Sequence, residues 1–124
     1  MKTIIHADDS RSIRELVRSE LQEDGFGVIS VRDGETVTDL VGEYRPSLII
    51  LDVWMPRMDG LETLQRIKTH VPDLPVVLFA LHCKLYRQDS RAQLADAWVE
   101  KQEDLGPLRA AVARILRDEA VADR

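Results

Sequence analysis

A single cysteine, Cys83, leaves the chain without an internal disulfide, and a lone thiol suits a reducing compartment. Long apolar runs are missing as well. No stretch approaches the roughly 20 apolar residues that a membrane-spanning helix needs. At the N-terminus, Met1-Lys2-Thr3-Ile4-Ile5 runs straight into His6, Asp8 and Asp9, so the apolar region of a signal peptide is absent. Positive charge is in short supply. Against 22 Asp and Glu there are 17 Lys and Arg, a net charge of −5, which argues against a basic nucleic-acid face. There is no internal repeat, low-complexity segment or Gly/Ser-rich linker. The expectation is a soluble, cytoplasmic protein with no membrane segment and no nucleic-acid partner, forming one domain over residues 1–124.

What is present is ordinary for a globular chain. Hydrophobic residues make up 44% and charged residues 31%. At 124 residues, roughly two-thirds of the unfolded surface can be buried, enough for a core without staples. The stretch Pro46 to Gly60 organises the rest. It opens with an apolar run, Leu48 to Leu51, followed by Asp52 and then by the turn-formers Pro56 and Asp59-Gly60. A short unbroken apolar run bounded by prolines reads as a strand buried on both faces, as in a parallel sheet. Ligands bind such sheets at the carboxyl ends of the strands. Asp52 is therefore either a candidate for chemistry or a loop carboxylate capping the next helix.

Taken in order, Thr3–Ala7 reads as a first strand ending in Asp8-Asp9-Ser10. Ile13, Leu16, Val17 and Leu21 mark one face of a helix over Ser12–Asp24, with Asp9 or Ser10 as cap and Gly25 as stop. Phe26–Val31 is a second strand and Asp33-Gly34 a turn. Val37, Leu40, Val41 and Tyr44 give a second helix, ended by Pro46. A third helix runs from Leu61 to Val71, between Gly60 and Pro72. Pro75–Ala80 is a fourth strand, apolar on both faces. Lys84–Leu94 is polar and weakly patterned, and is expected to be a fourth helix. Asp96–Glu100 is a fifth strand, followed by Lys101. Leu105, Leu108, Val112, Ile115 and Leu116 face a last helix, with a frayed tail expected after Asp118. Strand–helix units repeated five times predict an α/β fold. The expected architecture is a five-stranded parallel sheet of order 2-1-3-4-5, flavodoxin-like, with helices on both faces and right-handed crossovers.

In that order strands one and three are neighbours, so Asp8, Asp9 and Asp52 converge at their carboxyl ends. Three carboxylates in one pocket repel one another. A hard divalent cation such as Mg²⁺ offsets the repulsion and suits a phosphate-handling site. Lys101 leaves strand five at the same edge and can hold an anion against Asp52. A carboxylate nucleophile, a metal and a cation are what aspartyl-phosphate chemistry requires.

With those residues in place, the chain resembles a receiver domain of a two-component response regulator, and is similar to the single-domain, chemotaxis-type members. The resemblance rests on Asp8-Asp9 after strand one, Asp52 after an apolar strand, Met55-Pro56 and Asp59-Gly60 in the following loop, and Lys101 after strand five. It implies that Asp52 takes a phosphoryl group from a phosphohistidine on a sensor histidine kinase or phosphotransfer protein. Asp9, Asp52 and the backbone carbonyl of Trp54 would bind Mg²⁺, Asp8 would assist through water, and Lys101 would contact the phosphoryl group. The domain would be a switch and not an enzyme, promoting only its own phosphorylation and dephosphorylation. A downstream protein would be met through the fourth helix, fifth strand and last helix, and a homodimer is a further partner the resemblance allows.

The sequence departs from the family pattern across the pocket. The Thr or Ser at the end of strand four is Ala80, and no Ser or Thr lies between Thr69 and Ser90. A hydrogen bond to a charged group contributes roughly 1.5–3 kcal/mol, so its loss can cut a phosphorylation-driven population shift by about one to two decades. Leu81 stands where a small residue is usual, and its bulk is expected to narrow access to Asp52. Gln102 replaces the proline after the lysine. A cis bond without proline costs roughly 2.5–4 kcal/mol, so a trans peptide is expected there. Leu94 replaces another small residue before strand five. Trp98 matches the switch aromatic, or else is a core or interface tryptophan. Trp54 either shields the phosphoryl group or is an exposed aromatic. His82 is a rim residue and Cys83 a bystander. These departures support an alternative, a phosphorylation-independent pseudo-receiver acting as a protein-interaction module. A haloacid-dehalogenase-type phosphatase would need a carboxylate where Trp54 stands. A flavin-binding flavodoxin would place phosphate against Asp8-Asp9, which repel it.

Overall fold

The computed structural model describes the backbone of residues 1–122 and side chains as far as Arg117. Strands β1 (Thr3–Ala7), β2 (Gly27–Val31), β3 (Leu48–Leu51), β4 (Val76–Ala80) and β5 (Ala97–Glu100) form one sheet. All pairings are parallel and the order is β2-β1-β3-β4-β5, as predicted. Helices α1 (Arg11–Glu23), α2 (Gly34–Tyr44), α3 (Gly60–His70) and α4 (Gly106–Ala122) cover it. α4 is helical through Ala122, so the fraying expected after Asp118 is not seen in the backbone of 119–122, and residues 123–124 lie outside the described residues.

Strand side chains alternate between two cores because a strand's side-chain period is two. Ile4, Leu48, Ile50, Val77 and Phe79 pack with Val17 and Leu21 of α1 and with Leu108, Val112 and Leu116 of α4. Ile5, Ala7, Ile49, Leu51 and Leu78 pack with Val37 of α2 and with Leu61, Leu64 and Ile67 of α3. Burial on both faces explains why β3 and β4 are unbroken apolar runs.

The helices start where side chains can satisfy free backbone N–H groups. Ser10, one of the two expected caps, accepts from the Ile13 amide at 3.4 Å. Asp33 does the same for Thr36 at 2.8 Å and Asp59 for Glu62 at 2.9 Å. Asp33-Gly34 is thus the start of α2 and not the free turn that was expected. Gly34 is needed because a Cβ there would lie 1.9 Å from Thr63 Oγ1, where α2 and α3 cross. Gly25 follows α1 at φ 94°, a left-handed position that glycine takes without strain.

One expected element is absent. Residues 84–94 form no α-helix. Two short 3₁₀ turns, Cys83–Tyr86 and Ser90–Leu94, connect β4 to β5. The cause is local. Asp89 accepts the Arg91 amide at 2.9 Å and pairs with the Arg91 guanidinium at 2.8 Å. A cap in mid-segment restarts the chain, because Asp competes for backbone donors. No apolar face compensates: Leu85 and Leu94 lie exposed. The expected partner face of fourth helix, fifth strand and last helix therefore lacks its first component, and β5 is flanked by α4 and two 3₁₀ turns.

Candidate functional site

The acidic pocket forms at the carboxyl ends of adjacent strands. The Asp52 amide donates to the Ala7 carbonyl at 3.0 Å, extending the β1–β3 ladder by one rung. The Asp8 amide donates to the Val31 carbonyl at 3.1 Å. Asp8 is further fixed from both ends. Its Oδ1 accepts from the Ser10 amide at 2.9 Å, and Arg14 donates to its backbone carbonyl at 2.7 Å. Behind Asp52, Gly60 packs so closely that a Cβ would lie 2.0 Å from the Asp52 carbonyl oxygen. The Gly60 amide closes the loop on the Val53 carbonyl at 2.8 Å.

Asp8, Asp9 and Asp52 each offer a carboxylate oxygen, all within 4.8 Å of one another. Asp8 and Asp52 are buried and Asp9 is exposed. Lys101 reaches in from the end of β5, where its amide donates to the Ala80 carbonyl at 2.9 Å. Its ammonium lies 2.6 Å from Asp8 Oδ2 and 3.1 Å from Asp52 Oδ2. The Asp52 contact is an aligned hydrogen bond. The Asp8 contact is an ion pair off the hydrogen-bonding angle, which leaves Asp8 Oδ2 without an aligned donor. All peptides among the described residues are trans, including the one before Gln102, as expected, and Lys101 still reaches both carboxylates.

The electrostatics follow from this crowding. Burial pushes the Asp52 carboxyl above the usual carboxylate range, the nearby Asp8 adds to it, and Lys101 opposes both. Burial would lower Lys101, but Asp8 and Asp52 outweigh it and hold the ammonium above the usual lysine range. A buried anionic oxygen without an aligned donor, beside two more carboxylates, is a set of hard donors that fits a hard divalent cation. Asp8, Asp9 and Asp52 would hold such an ion, and it would neutralise charge on phosphoryl oxygens.

The opposite wall is apolar and tight. Ala80 is fully buried. Val53, Leu78, Ala80, Cys83, Tyr86 and Trp98 line a crevice too narrow for water. The Trp98 indole N–H donates to the Ala92 carbonyl at 2.9 Å, and the Arg87 guanidinium stacks 5.7 Å from the ring centroid. Trp98 is thus tied to the second 3₁₀ turn and packs against the core. Trp54 and Leu81 are 71% and 53% exposed, so Trp54 stands as an exposed aromatic. The Cys83 thiol is half-buried between the Ala80 and Val99 carbonyls, at 3.3 and 3.5 Å, and burial pushes it up.

Glu100, Arg14 and His6 join the site without having been picked out from the sequence. Glu100 accepts both the His82 and Cys83 amides, at 2.8 and 3.0 Å, and fastens the loop after β4. His82 sits in that loop at φ 57°, an uncommon left-handed conformation. Arg14 anchors the Asp8 carbonyl. His6 is wholly buried beside Asp8. Only His6 had a local signal, a titratable residue inside an apolar strand two positions before Asp8.

A doubly wound sheet with an acidic triad and a facing lysine at its carboxyl edge defines a class of signalling domain. The chain belongs to that class: it is a member of the response regulator receiver domain family, which it matches over residues 4–113. Among curated proteins, it is 32% identical over 115 residues to the response regulator MprA of Mycolicibacterium vanbaalenii, covering 92% of this chain and 50% of that protein. The chain spans about half the length of the curated relatives it matches. Among solved structures, the response regulator TrrA of Thermotoga maritima in complex with Mg²⁺–BeF superposes with a TM-score of 0.88 at 32% identity, covering 93% of this chain and 99% of that one. A structure of the histidine kinase ThkA in complex with TrrA matches with a TM-score of 0.86 at 33% identity, covering 94% and 99%.

Proposed function

We propose that this chain, read as one receiver domain over its whole length, is a cytoplasmic phosphoacceptor switch. In this reading Asp52 attacks the phosphorus of a phosphohistidine on a sensor kinase or phosphotransfer protein. The P–N bond breaks, an aspartyl P–O bond forms, and the leaving imidazole takes up a proton. Asp9, Asp52 and the Trp54 carbonyl, with Asp8 through water, would hold Mg²⁺, which when bound would neutralise charge at the phosphoryl oxygens. Lys101 moves from the two carboxylates onto the incoming group. The observation that carries the reading is the Lys101 ammonium set between Asp8 and Asp52. An ammonium there supports the reading, because it could turn to neutralise an arriving anion. The complexes of TrrA with Mg²⁺–BeF and with a histidine kinase add support. The domain turns over no substrate of its own in this reading.

A specific observation favours a second reading, in which phosphate does not set the partner face. Trp98 is held by the Ala92 carbonyl beside a dry crevice at Ala80, and Glu100 fastens the adjoining loop. Incubation with Mg²⁺ and a small phosphodonor distinguishes the two. In the first reading the intact mass rises by one phosphoryl group, Asp52→Asn abolishes the gain, and amide shifts spread from Asp52 to β5 and α4. Absence of the mass gain defeats the first reading. A mass gain with no shift at β5 supports the second. A downstream protein would meet the face formed by the 3₁₀ turns, β5 and α4.

A further inference from the structure

Only four side-chain atoms among the described residues are buried and lack a hydrogen-bond partner: both ring nitrogens of His6, Asp8 Oδ2 and Ser30 Oγ. Three of the four sit on or just after β1, and the fourth lies on the neighbouring strand β2. His6 and Ser30 are register partners on β1 and β2, and paired residues of a parallel sheet share a face. His6 and Asp8 stand two positions apart at the end of β1, with His6 Nε2 4.0 Å from Asp8 Oδ2. Every other core position of β1 is aliphatic: Ile4, Ile5 and Ala7. An imidazole with two unpaired nitrogens in such a place is costly unless a partner arrives.

The donor and acceptor inventory matches along the line. His6 is wholly buried among aliphatic side chains, a setting that disfavours the charged imidazolium. A neutral ring has one donor and one acceptor. With the proton on Nε2, it can donate to Asp8 Oδ2 and accept at Nδ1 from the Ser30 hydroxyl. The 4.0 Å gap is about 1 Å longer than a hydrogen bond and too short for a water between. Lys101 currently neutralises Asp8 Oδ2 at 2.6 Å. Once a bound divalent cation displaces that ammonium from Asp8, the carboxylate needs another fixed donor to hold its orientation, and His6 is the group beside it.

We propose that His6 is a positioning residue for the acidic pocket: a Ser30–His6–Asp8 hydrogen-bond line closes when a divalent cation binds and Lys101 leaves Asp8. The line sets the Asp8 carboxylate toward the cation. The inference rests on the divalent-cation reading of the pocket given above. Outer-shell donors of this kind contribute about tenfold or more to metal affinity.

The test compares the parent protein, His6→Val and Ser30→Ala, with Mg²⁺ as the probe. Imidazole ¹⁵N spectra report the tautomer, and His6 signals are assigned by their loss in His6→Val. The expected result is an Nε2–H tautomer in the parent, whose proton moves downfield on Mg²⁺ saturation. Ser30→Ala should shift the Nδ1 resonance. Cation titrations followed by Trp54 fluorescence and amide shifts should show about tenfold weaker Mg²⁺ binding by His6→Val. The same variant should unfold at higher urea than the parent, since two unpaired polar atoms leave the core. Stability up with affinity down is a split that a purely structural role would not give. If the parent binds no Mg²⁺, the pocket reading falls together with this one. If the parent binds Mg²⁺ while the His6 ¹⁵N signals and the His6→Val affinity stay unchanged, the positioning role alone is overturned.

Discussion

Replacing Lys101 by Met removes the ammonium and keeps an unbranched side chain beneath which Phe79 can pack, the ammonium lying 5.9 Å from that ring centroid. At 2.6 and 3.1 Å, and with an effective dielectric of about 20, the two attractions amount to roughly 6 and 5 kcal/mol. Desolvation of the ammonium and of two carboxylates, with their mutual repulsion, offsets most of this. What decides the outcome is the state left behind: two buried carboxylates with no cation. Breaking a buried pair from one side costs about 3 kcal/mol or more. In urea, with a slope of about 1.5–2 kcal/mol/M for a chain of this size, the midpoint should fall by about 1.5–2 M in EDTA. A divalent cation supplies the missing charge. At a hundred times its dissociation constant it stabilises by about 2.7 kcal/mol, and it no longer competes with Lys101. Mg²⁺ should therefore raise the Lys101→Met midpoint more than that of the parent. The reasoning fails if the midpoint falls by less than about 0.5 M, or if Mg²⁺ stabilises the variant less than the parent.

Other outcomes follow from the same geometry. The raised Asp52 pKa means that its ionised form disfavours folding. Stability from this group is present below the usual carboxylate range and is lost as pH rises through the elevated folded value. Asp52→Asn should thus raise the urea midpoint at pH 7 in EDTA, and the gain should vanish near pH 3, where the carboxyl is neutral in both states. Ala80→Thr restores a hydroxyl but enters a crevice with no room for water. It should cost about 1–3 kcal/mol by overpacking and displace Trp98 from the Ala92 carbonyl, seen as a red shift in tryptophan emission. Gly60→Ala puts a methyl 2.0 Å from the Asp52 carbonyl oxygen. Denaturation should show a loss of about 3 kcal/mol, with reduced phosphoryl uptake because the Asp52 backbone must shift. Glu100→Ala frees the His82 and Cys83 amides, and their hydrogen exchange should accelerate while that of β4 stays unchanged.

The sheet was legible in the sequence because each central strand must be apolar on both faces. Leu48–Leu51 and Val76–Ala80 leave no other economical assignment. The pocket was legible for the same reason: topology alone brings Asp8, Asp9, Asp52 and Lys101 to one edge. What escaped notice depends on contacts that local pattern does not encode. The bonds from Glu100 to His82 and Cys83 cross 18 and 17 residues. His6 looks like one polar residue in a short strand until Ser30 and Asp8 are placed beside it. The failure at Lys84–Leu94 has a different origin. The five-fold rhythm of strand and helix called for a helix there, but Asp89 captures the Arg91 backbone and no apolar face resists it. Global topology suggested one element, and local chemistry built another.

The two 3₁₀ turns beside β5 also set where the molecule is softest. An α-helix in that place would add i→i−4 bonds and a buried stripe. Here Leu85 stands 71% exposed, and between Ala92, which holds Trp98, and the loop fastened by Glu100 little apolar surface is buried. Opening free energies are lowest where burial and backbone bonding are sparse. Among the described elements, the segment from Cys83 to Leu94 is thus expected to open before the sheet and the α-helices. It carries Lys84, Arg87 and Arg91, three exposed or half-exposed sites for a basic-specific protease. A partner that docks there must order the segment as it binds. Its affinity would then depend on temperature through a heat-capacity change larger than the rigid contact area implies.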